Sequence, residues 1–325
     1  MGGSSYSDDL YTSAKVVRTA ATGVDSFSRD RDIKSGKVEE VVHNKLDPKG
    51  VVRESRDSEA HPTSNAIIVG YDVSGSMKDI PRTLQKKLPK LMSVLLTKGA
   101  IEHPQILMAA FGDVTCDRVP LQVGQFESGV EMDEDLDKMY LEGQGGPYGQ
   151  ESAELVLYFA AKKTSIDCFE KRGNKGYLFF TTDECCRDVS RDAVKKVFGD
   201  FLQEDISLEQ IIKDAQEKYQ VFMILPTKAS GGTSSKIKNF WTNLLGQNVL
   251  VLDDEDLVCE LIATTIGLCE ETIDSVDDIA KELKLDPKGR KSLTTALSEV
   301  KSSRGLKAKV DGLLVNSGSD CVKTL

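Results

Sequence analysis

The sequence predicts an α/β fold: a doubly wound, mostly parallel sheet flanked by helices, with an extension at each end. Three observations point to it. Short apolar runs recur at 65–71 (NAIIVGY), 106–111 (ILMAAF), 177–182 (YLFFTT), 221–225 and 249–252, and they lack the alternation of a strand with one wet face. Segments with apolar residues at helical spacing lie between them. Two of the runs end in carboxylates, at Asp72 and Asp183, where an open α/β sheet binds its ligands.

Residues 1–64 are polar, with few apolar positions, and read as an extension without its own core, partly disordered or wrapped on the main domain. The turn signal Leu46-Asp47-Pro48-Lys49-Gly50 recurs at 285–289, which is coincident turn chemistry rather than an internal repeat. After the first strand, Leu84, Leu88, Leu91, Met92, Leu95 and Leu96 fall at helical spacing. Pro81 suits the first turn, and Pro89 predicts a kink or restart. The second strand is 106–111, and 119–126 reads as a short edge strand. Asp133, Glu134 and Asp135 open a short helix, where acidic groups oppose the helix dipole.

A glycine-rich loop at 142–150 leads into a helix with Leu155, Val156, Phe159 and Ala160 on one face. Strand 177–182 follows. Ser207 with Gln210 forms a capping-box signature for a helix carrying Leu208, Ile211, Ile212 and Ala215. Strand 221–225 is stopped by Pro226. A helix with Ile237, Phe240, Trp241, Leu244 and Leu245 leads to strand 249–252, with Trp241 most simply core. A last amphipathic helix holds Leu257, Val258, Leu261, Ile262 and Ile266. Two weaker helical patterns occupy 273–304, and Leu313, Leu314 and Val315 read as a short docking strand in a loose tail. The chain thus divides into 1–64, a main domain at 65–272, and a helical segment with tail at 273–325.

Composition narrows the function. At 325 residues and 39% hydrophobic, the chain has enough apolar material for a sizeable core. A net charge of -10 argues against a nucleic-acid-binding surface, which needs a basic footprint. It suits a protein that binds a cation or a basic partner. No apolar run approaches a membrane span, no signal-peptide h-region opens the chain, and Tyr6 spoils the myristoylation-like start. Seven cysteines, with Cys185 and Cys186 adjacent, give neither a disulfide framework nor a Cys-x-x-Cys metal spacing, so reduced cytoplasmic thiols are expected, with Cys185 and Cys186 read as buried and inert. Three scattered histidines support neither a zinc site nor a Ser-His triad.

The chemistry concentrates at Asp72-Val73-Ser74-Gly75-Ser76, directly after the first strand. Asp-x-Ser-x-Ser in this setting resembles the metal-ion-dependent adhesion site of the von Willebrand factor A (VWA) family. The resemblance implies that three loops at the sheet edge converge on one divalent cation. Asp72, Ser74 and Ser76 map onto the first loop and Asp183 onto the third. The second loop normally supplies a Thr, but no Thr lies in 143–152, so Glu151 or Ser152 stands in for it. All candidate ligands are oxygens, which suits Mg²⁺ or another hard divalent cation.

The stretches 141–157 and 165–183 are also similar to intracellular microbial and phage VWA proteins. That resemblance implies a non-enzymatic, metal-dependent protein–protein interaction module, with a partner carboxylate completing the metal shell. It also implies an adaptor role beside a MoxR-type AAA+ ATPase, and coupling of the site to a shift of the helix at 255–267. Competing readings are a Mg²⁺-dependent phosphohydrolase using Asp72, which lacks a second Asp at position 74, and a structural or RNA-associated protein.

Overall fold

The computed structural model describes residues 7–24, 27–77, 79–97, 100–143, 150–298 and 300. Helices α1 (Asp8–Thr22) and α2 (Ser28–Lys34) precede β1 (Arg53–Ser55) and β2 (Asn65–Asp72). Next come α3 (Ile80–Thr97), β3 (Pro104–Phe111), β4 (Leu121–Val123) and α4 (Glu131–Lys138). The middle of the chain forms α5 (Ala153–Lys162), β5 (Thr164–Ile166), α6 (Asp167–Glu170), β6 (Gly176–Thr181) and α7 (Arg191–Phe198). It continues as α8 (Leu208–Lys218), β7 (Tyr219–Pro226), α9 (Ser235–Leu245) and β8 (Val249–Leu252). Helices α10 (Val258–Cys269), α11 (Val276–Glu282) and α12 (Pro287–Ala296) complete it. Among the described residues no helix is long and apolar enough to cross a membrane.

The apolar runs become a six-stranded sheet of order β4-β3-β2-β6-β7-β8, parallel throughout except for β4, which pairs antiparallel with β3. Alternate residues of β2 feed two separate cores. Ile67, Val69 and Tyr71 face α3 and α10, whereas Ala66 and Ile68 join the side chains of α5, α7, α8 and α9. Each fully buried Leu, Ile or Phe contributes roughly 1.5–3 kcal/mol, so these two cores are the main stabilising mass. Gly70 permits the close seating of α5 on β2, because a Cβ there would lie 3.1 Å from Val156 Cγ1.

Several elements differ from expectation. Helix α3 continues through Pro89 without a restart, and β7 includes Pro226 as its last residue, beyond which the chain turns at Thr227. Every residue of α5 from Ala153 to Ala161 is buried, not one face alone, because α8 covers its outer side. Helix α10 is buried along its whole length for the same reason, with α3 and α12 packed on it. The edge strand shortens to β4. The tail strand at 313–315, the start of the chain at 1–6 and most of the glycine-rich loop (144–149) lie outside the described residues.

Neither end forms a core of its own. Phe27 and Leu46 from the first segment, and Leu293, Leu297 and Val300 from the last, enter the same core as β2. Strand β1 pairs parallel with β5 in a two-stranded sheet away from the main one. A charged knot fastens that junction. The Asp167 carboxylate accepts from Arg56 Nη1 (2.8 Å) and Asp57 N (2.8 Å) and pairs with Lys171 Nζ (2.6 Å). Burial alone would raise its pKa, but Lys171, the Asp57 amide and Arg56 outweigh it and bring the group down to about 2. A depressed native pKa contributes stability above the unfolded value, lost as pH falls towards the folded one. We expect the knot to lose about 1 kcal/mol between about pH 4 and pH 2, after screening around the exposed lysine. Urea unfolding of wild type against Asp167→Asn over that range checks it: the gap should close as pH falls.

Candidate functional site

Sheet register builds the site. Asp72 is the last residue of the central strand β2, and Tyr71 lies opposite Thr181 on β6. The next residues, Asp72 and Thr182, are therefore neighbours, and Thr182 Oγ1 donates to Asp72 Oδ2 at 2.8 Å. On the other side Asp72 pairs with Phe111, which carries Gly112 and Asp113 past the same edge. Strand tips β3, β2 and β6 thus set three acidic residues, Asp113, Asp72 and Asp183, side by side, each fully buried.

The first loop closes on itself and on the third. Ser74 N donates to Asp72 Oδ1 (2.8 Å), and the Ser74 and Ser76 hydroxyls share a hydrogen bond (2.9 Å). Ser76 Oγ donates to Asp183 Oδ1 at 2.5 Å, and Gly231 N donates to Asp183 Oδ2 at 2.6 Å. Residue 231 must be glycine at this approach, since a Cβ would fall 2.1 Å from the Asp183 carbonyl oxygen. Trp241 is a core residue that also pins the third loop from below, its Nε1 donating to the Glu184 carbonyl (2.9 Å).

The second loop docks beside the third. Gln150 bridges Cys185, Glu151 N donates to the Cys185 carbonyl (3.3 Å), and Ser152 N donates to the Gly112 carbonyl (3.0 Å). This separates the two candidates for the missing Thr. Ser152 Oγ is committed elsewhere, accepting from Val114 N (3.0 Å) and Arg187 Nη1 (3.3 Å). Glu151 is 2% exposed, and its Oε2 has no hydrogen-bond partner. A buried, unpaired carboxylate oxygen costs several kcal/mol unless protonated or compensated by a cation.

The electrostatics follow from that crowding. Burial, then the charge of Asp72 and then that of Glu184, pushes the Glu151 pKa far above the carboxylate range. Burial also raises Asp72, against the hydrogen bonds from Ser74 and Thr182, and Asp183 adds to the rise. Glu184 is raised by burial and by Asp183, and its Oε2 is likewise unpartnered. A guanidinium sits among them: Arg187 donates to both oxygens of Asp113 (2.7 and 3.1 Å) and to the Gln150 carbonyl (3.0 Å). Burial opposes ionisation of Asp113, but Arg187 and the Thr115 bonds hold its pKa below the usual value.

All five sequence-predicted residues therefore gather at one edge: Asp72, Ser74, Ser76 and Asp183 in a continuous hydrogen-bonded chain, and Glu151 within electrostatic reach of Asp72. Sequence reasoning missed Thr182, Asp113 and Arg187. Thr182 was detectable as the residue one step beyond the strand register, but Asp113 and Arg187 are 74 positions apart and carry no spacing signal. Cys185 and Cys186 are buried thiols whose pKa values burial raises. Among the described residues no group of three or more His, Cys, Asp and Glu side chains forms a metal cluster.

No protein-family model matches the chain, and no curated protein matches it. Among solved structures it is similar to the pilus adhesin SpaC from Lactobacillus rhamnosus GG in its open conformation, at 10% identity and a TM-score of 0.44. That match covers 69% of this chain and 33% of the adhesin. It is also similar to proximal thread matrix protein 1 (PTMP1) from the mussel byssus, at 12% identity and a TM-score of 0.41, over 70% of this chain and 51% of that one. The chain spans about a third of the length of the adhesin and about half that of the matrix protein.

Proposed function

We propose that the oxygens at the strand tips form a metal-ion-dependent adhesion site of the VWA type, on a doubly wound VWA sheet. The protein is then a cytoplasmic, metal-dependent protein–protein interaction module. The single observation carrying this reading is the Glu151 Oε2 atom, buried and unpartnered beside Asp72. Ser74, Ser76 and Glu151 would ligate Mg²⁺ or another hard divalent cation directly, with Asp72 and Asp183 acting through water. When bound, the cation supplies a Lewis-acidic coordination position for a carboxylate from a protein partner. The resemblance to intracellular VWA proteins extends the proposal to an adaptor role beside a MoxR-type AAA+ ATPase.

Phosphohydrolase chemistry is less well supported. Both oxygens of Asp72 already accept hydrogen bonds, from Ser74 N and Thr182 Oγ1, which suits orienting water better than nucleophilic attack. The test is capture. Tagged full-length protein should retain partners in Mg²⁺ and release them with chelator, and Asp72→Ala should retain none. Retention indifferent to both treatments would overturn the reading, as would phosphatase turnover abolished by Asp72→Asn.

A further inference from the structure

A fourth loop stands against the three that meet at the sheet edge. It spans residues 227–234, between β7 and α9, and no sequence motif marks it. Strand order explains its place. Strand β7 lies beside β6, so the chain leaving β7 passes next to Thr182 and Asp183. Gly231 N donates to Asp183 Oδ2 (2.6 Å), and Ser230 N donates to the carbonyl of Ser76 (3.4 Å). One loop therefore touches both the first and the third site loops.

The loop is itself tightly held. Ala229 N donates to the Pro226 carbonyl (3.2 Å), Gly232 N to the Ala229 carbonyl (3.1 Å) and Ser234 N to the Gly231 carbonyl (2.9 Å). Ala229 is buried against Met77 and Ile80, just beyond the first site loop. On its other side Lys228 N donates to Glu255 Oε1 (2.9 Å), and Ser234 Oγ caps α9 by accepting from Ile237 N (3.5 Å). Gly232 lets the turn close, since a Cβ there would fall 1.9 Å from the Pro226 carbonyl oxygen. An amide carried on such a loop has a fixed direction.

That direction sets the order of a proton chain. An ionised carboxylate only accepts, so the single hydroxyl proton of Ser76 goes to Asp183 Oδ1. In the contact between the two hydroxyls Ser74 is then the donor and Ser76 the acceptor. Both serine protons run towards Asp183, which leaves uncommitted lone pairs on the serine oxygens. Gly231 completes the arrangement by holding the other oxygen of Asp183.

We infer that the loop between β7 and α9 is a fourth wall of the site, with Gly231 as a positioning residue. Its amide holds Asp183, and through Asp183 it sets the proton direction of Ser76 and Ser74. The inference rests on the metal reading of those oxygens and adds to it a residue outside its three loops. Partners that orient metal-binding groups from behind are worth about 10–100-fold in metal affinity.

The test uses the full-length chain with ¹³C at serine carbonyls and ¹⁵N at glycine, so that correlated amide signals come only from glycines that follow serine. The signal lost in Ser230→Ala is that of Gly231. In EDTA this signal should move upfield in Asp183→Asn, because an amide oxygen accepts more weakly than a carboxylate. In wild type, added Mg²⁺ should move it with the midpoint that calorimetry gives for binding. Gly231→Ala, with an unaltered circular dichroism spectrum, should raise the Mg²⁺ dissociation constant by about 10–100-fold. Ser230→Ala, which keeps every backbone bond of the loop, should leave that constant unchanged. A Gly231 signal indifferent to Asp183→Asn, or indifferent to Mg²⁺ while calorimetry reports binding, would overturn the inference. So would a folded Gly231→Ala protein that binds Mg²⁺ as tightly as wild type; if that variant does not fold, the wild-type titration decides alone. No heat with Mg²⁺, in a wild type whose Gly231 signal does respond to Asp183→Asn, would overturn the metal reading and the role of Gly231 with it, leaving only the bond to Asp183.

Discussion

Titrating Mg²⁺ into the metal-free protein is expected to raise its melting temperature by about 5–10 °C. A ligand at a hundredfold excess over its Kd stabilises the native state by about 2.7 kcal/mol, and each kcal/mol is worth about 2–4 °C in a domain of this size. The source is specific. The strand tips hold the buried Asp72, Asp183 and Glu151 near the half-buried Glu184, and the two glutamates each have an oxygen without a partner. A dication ligated by Glu151 takes the place of the proton that burial holds there and gives a partner to the oxygen that folding leaves without one. Asp183→Ala should abolish the shift, because it breaks the link from Ser76 to the third loop. Ser76→Ala removes one hydroxyl from a half-buried position and should abolish most of the shift with little loss of metal-free stability. Ca²⁺ should be weaker than Mg²⁺, since hydroxyls and water-mediated carboxylates suit a small octahedral ion. Differential scanning fluorimetry with Mg²⁺, Mn²⁺ and Ca²⁺ decides it: no shift with any of the three would exclude the site.

What the sequence made legible was what lies close together in the chain. Strand β2, the first loop and Asp183 at the end of β6 are local patterns, in which apolar composition predicts the strand and the next residue projects from the sheet edge. The capping box at Ser207 is equally local, and its hydroxyl accepts from Gln210 N in the structure. The rest was decided by tertiary contact. That α3 passes through Pro89, or that α5 and α10 are buried all round, depends on which helices cover them, and periodicity says nothing of coverage. The N-terminal residues read as polar, yet they fold onto the domain through Asp30 and Asp167, buried acids whose partners come from elsewhere in the chain. The second site loop shows the limit most clearly. Composition left Glu151 and Ser152 equivalent, and only the commitment of Ser152 Oγ to Val114 and Arg187 separates them.

Arg187→Ala should be the most destabilising single change at the site, costing about 3–5 kcal/mol in urea unfolding. Its guanidinium makes a bidentate pair with a carboxylate that has no exposed surface, and it also donates to the Gln150 carbonyl and the Ser152 hydroxyl. Truncation leaves Asp113 charged and buried next to further acids, and frees the second loop from the third. If charge compensation is the cause, Asp113→Asn in the same chain should return much of the loss, since the orphaned charge is then gone. The double-mutant cycle is expected to give a coupling of about 2 kcal/mol or more, beyond the range of an exposed ion pair. Mg²⁺ should stabilise the Arg187→Ala protein by more than it stabilises wild type, because the site has become more negative while Glu151 still lacks a partner. An additive cycle would show that Arg187 acts only through packing, and the second loop would then owe its position to the Gly112 and Cys185 backbone bonds alone.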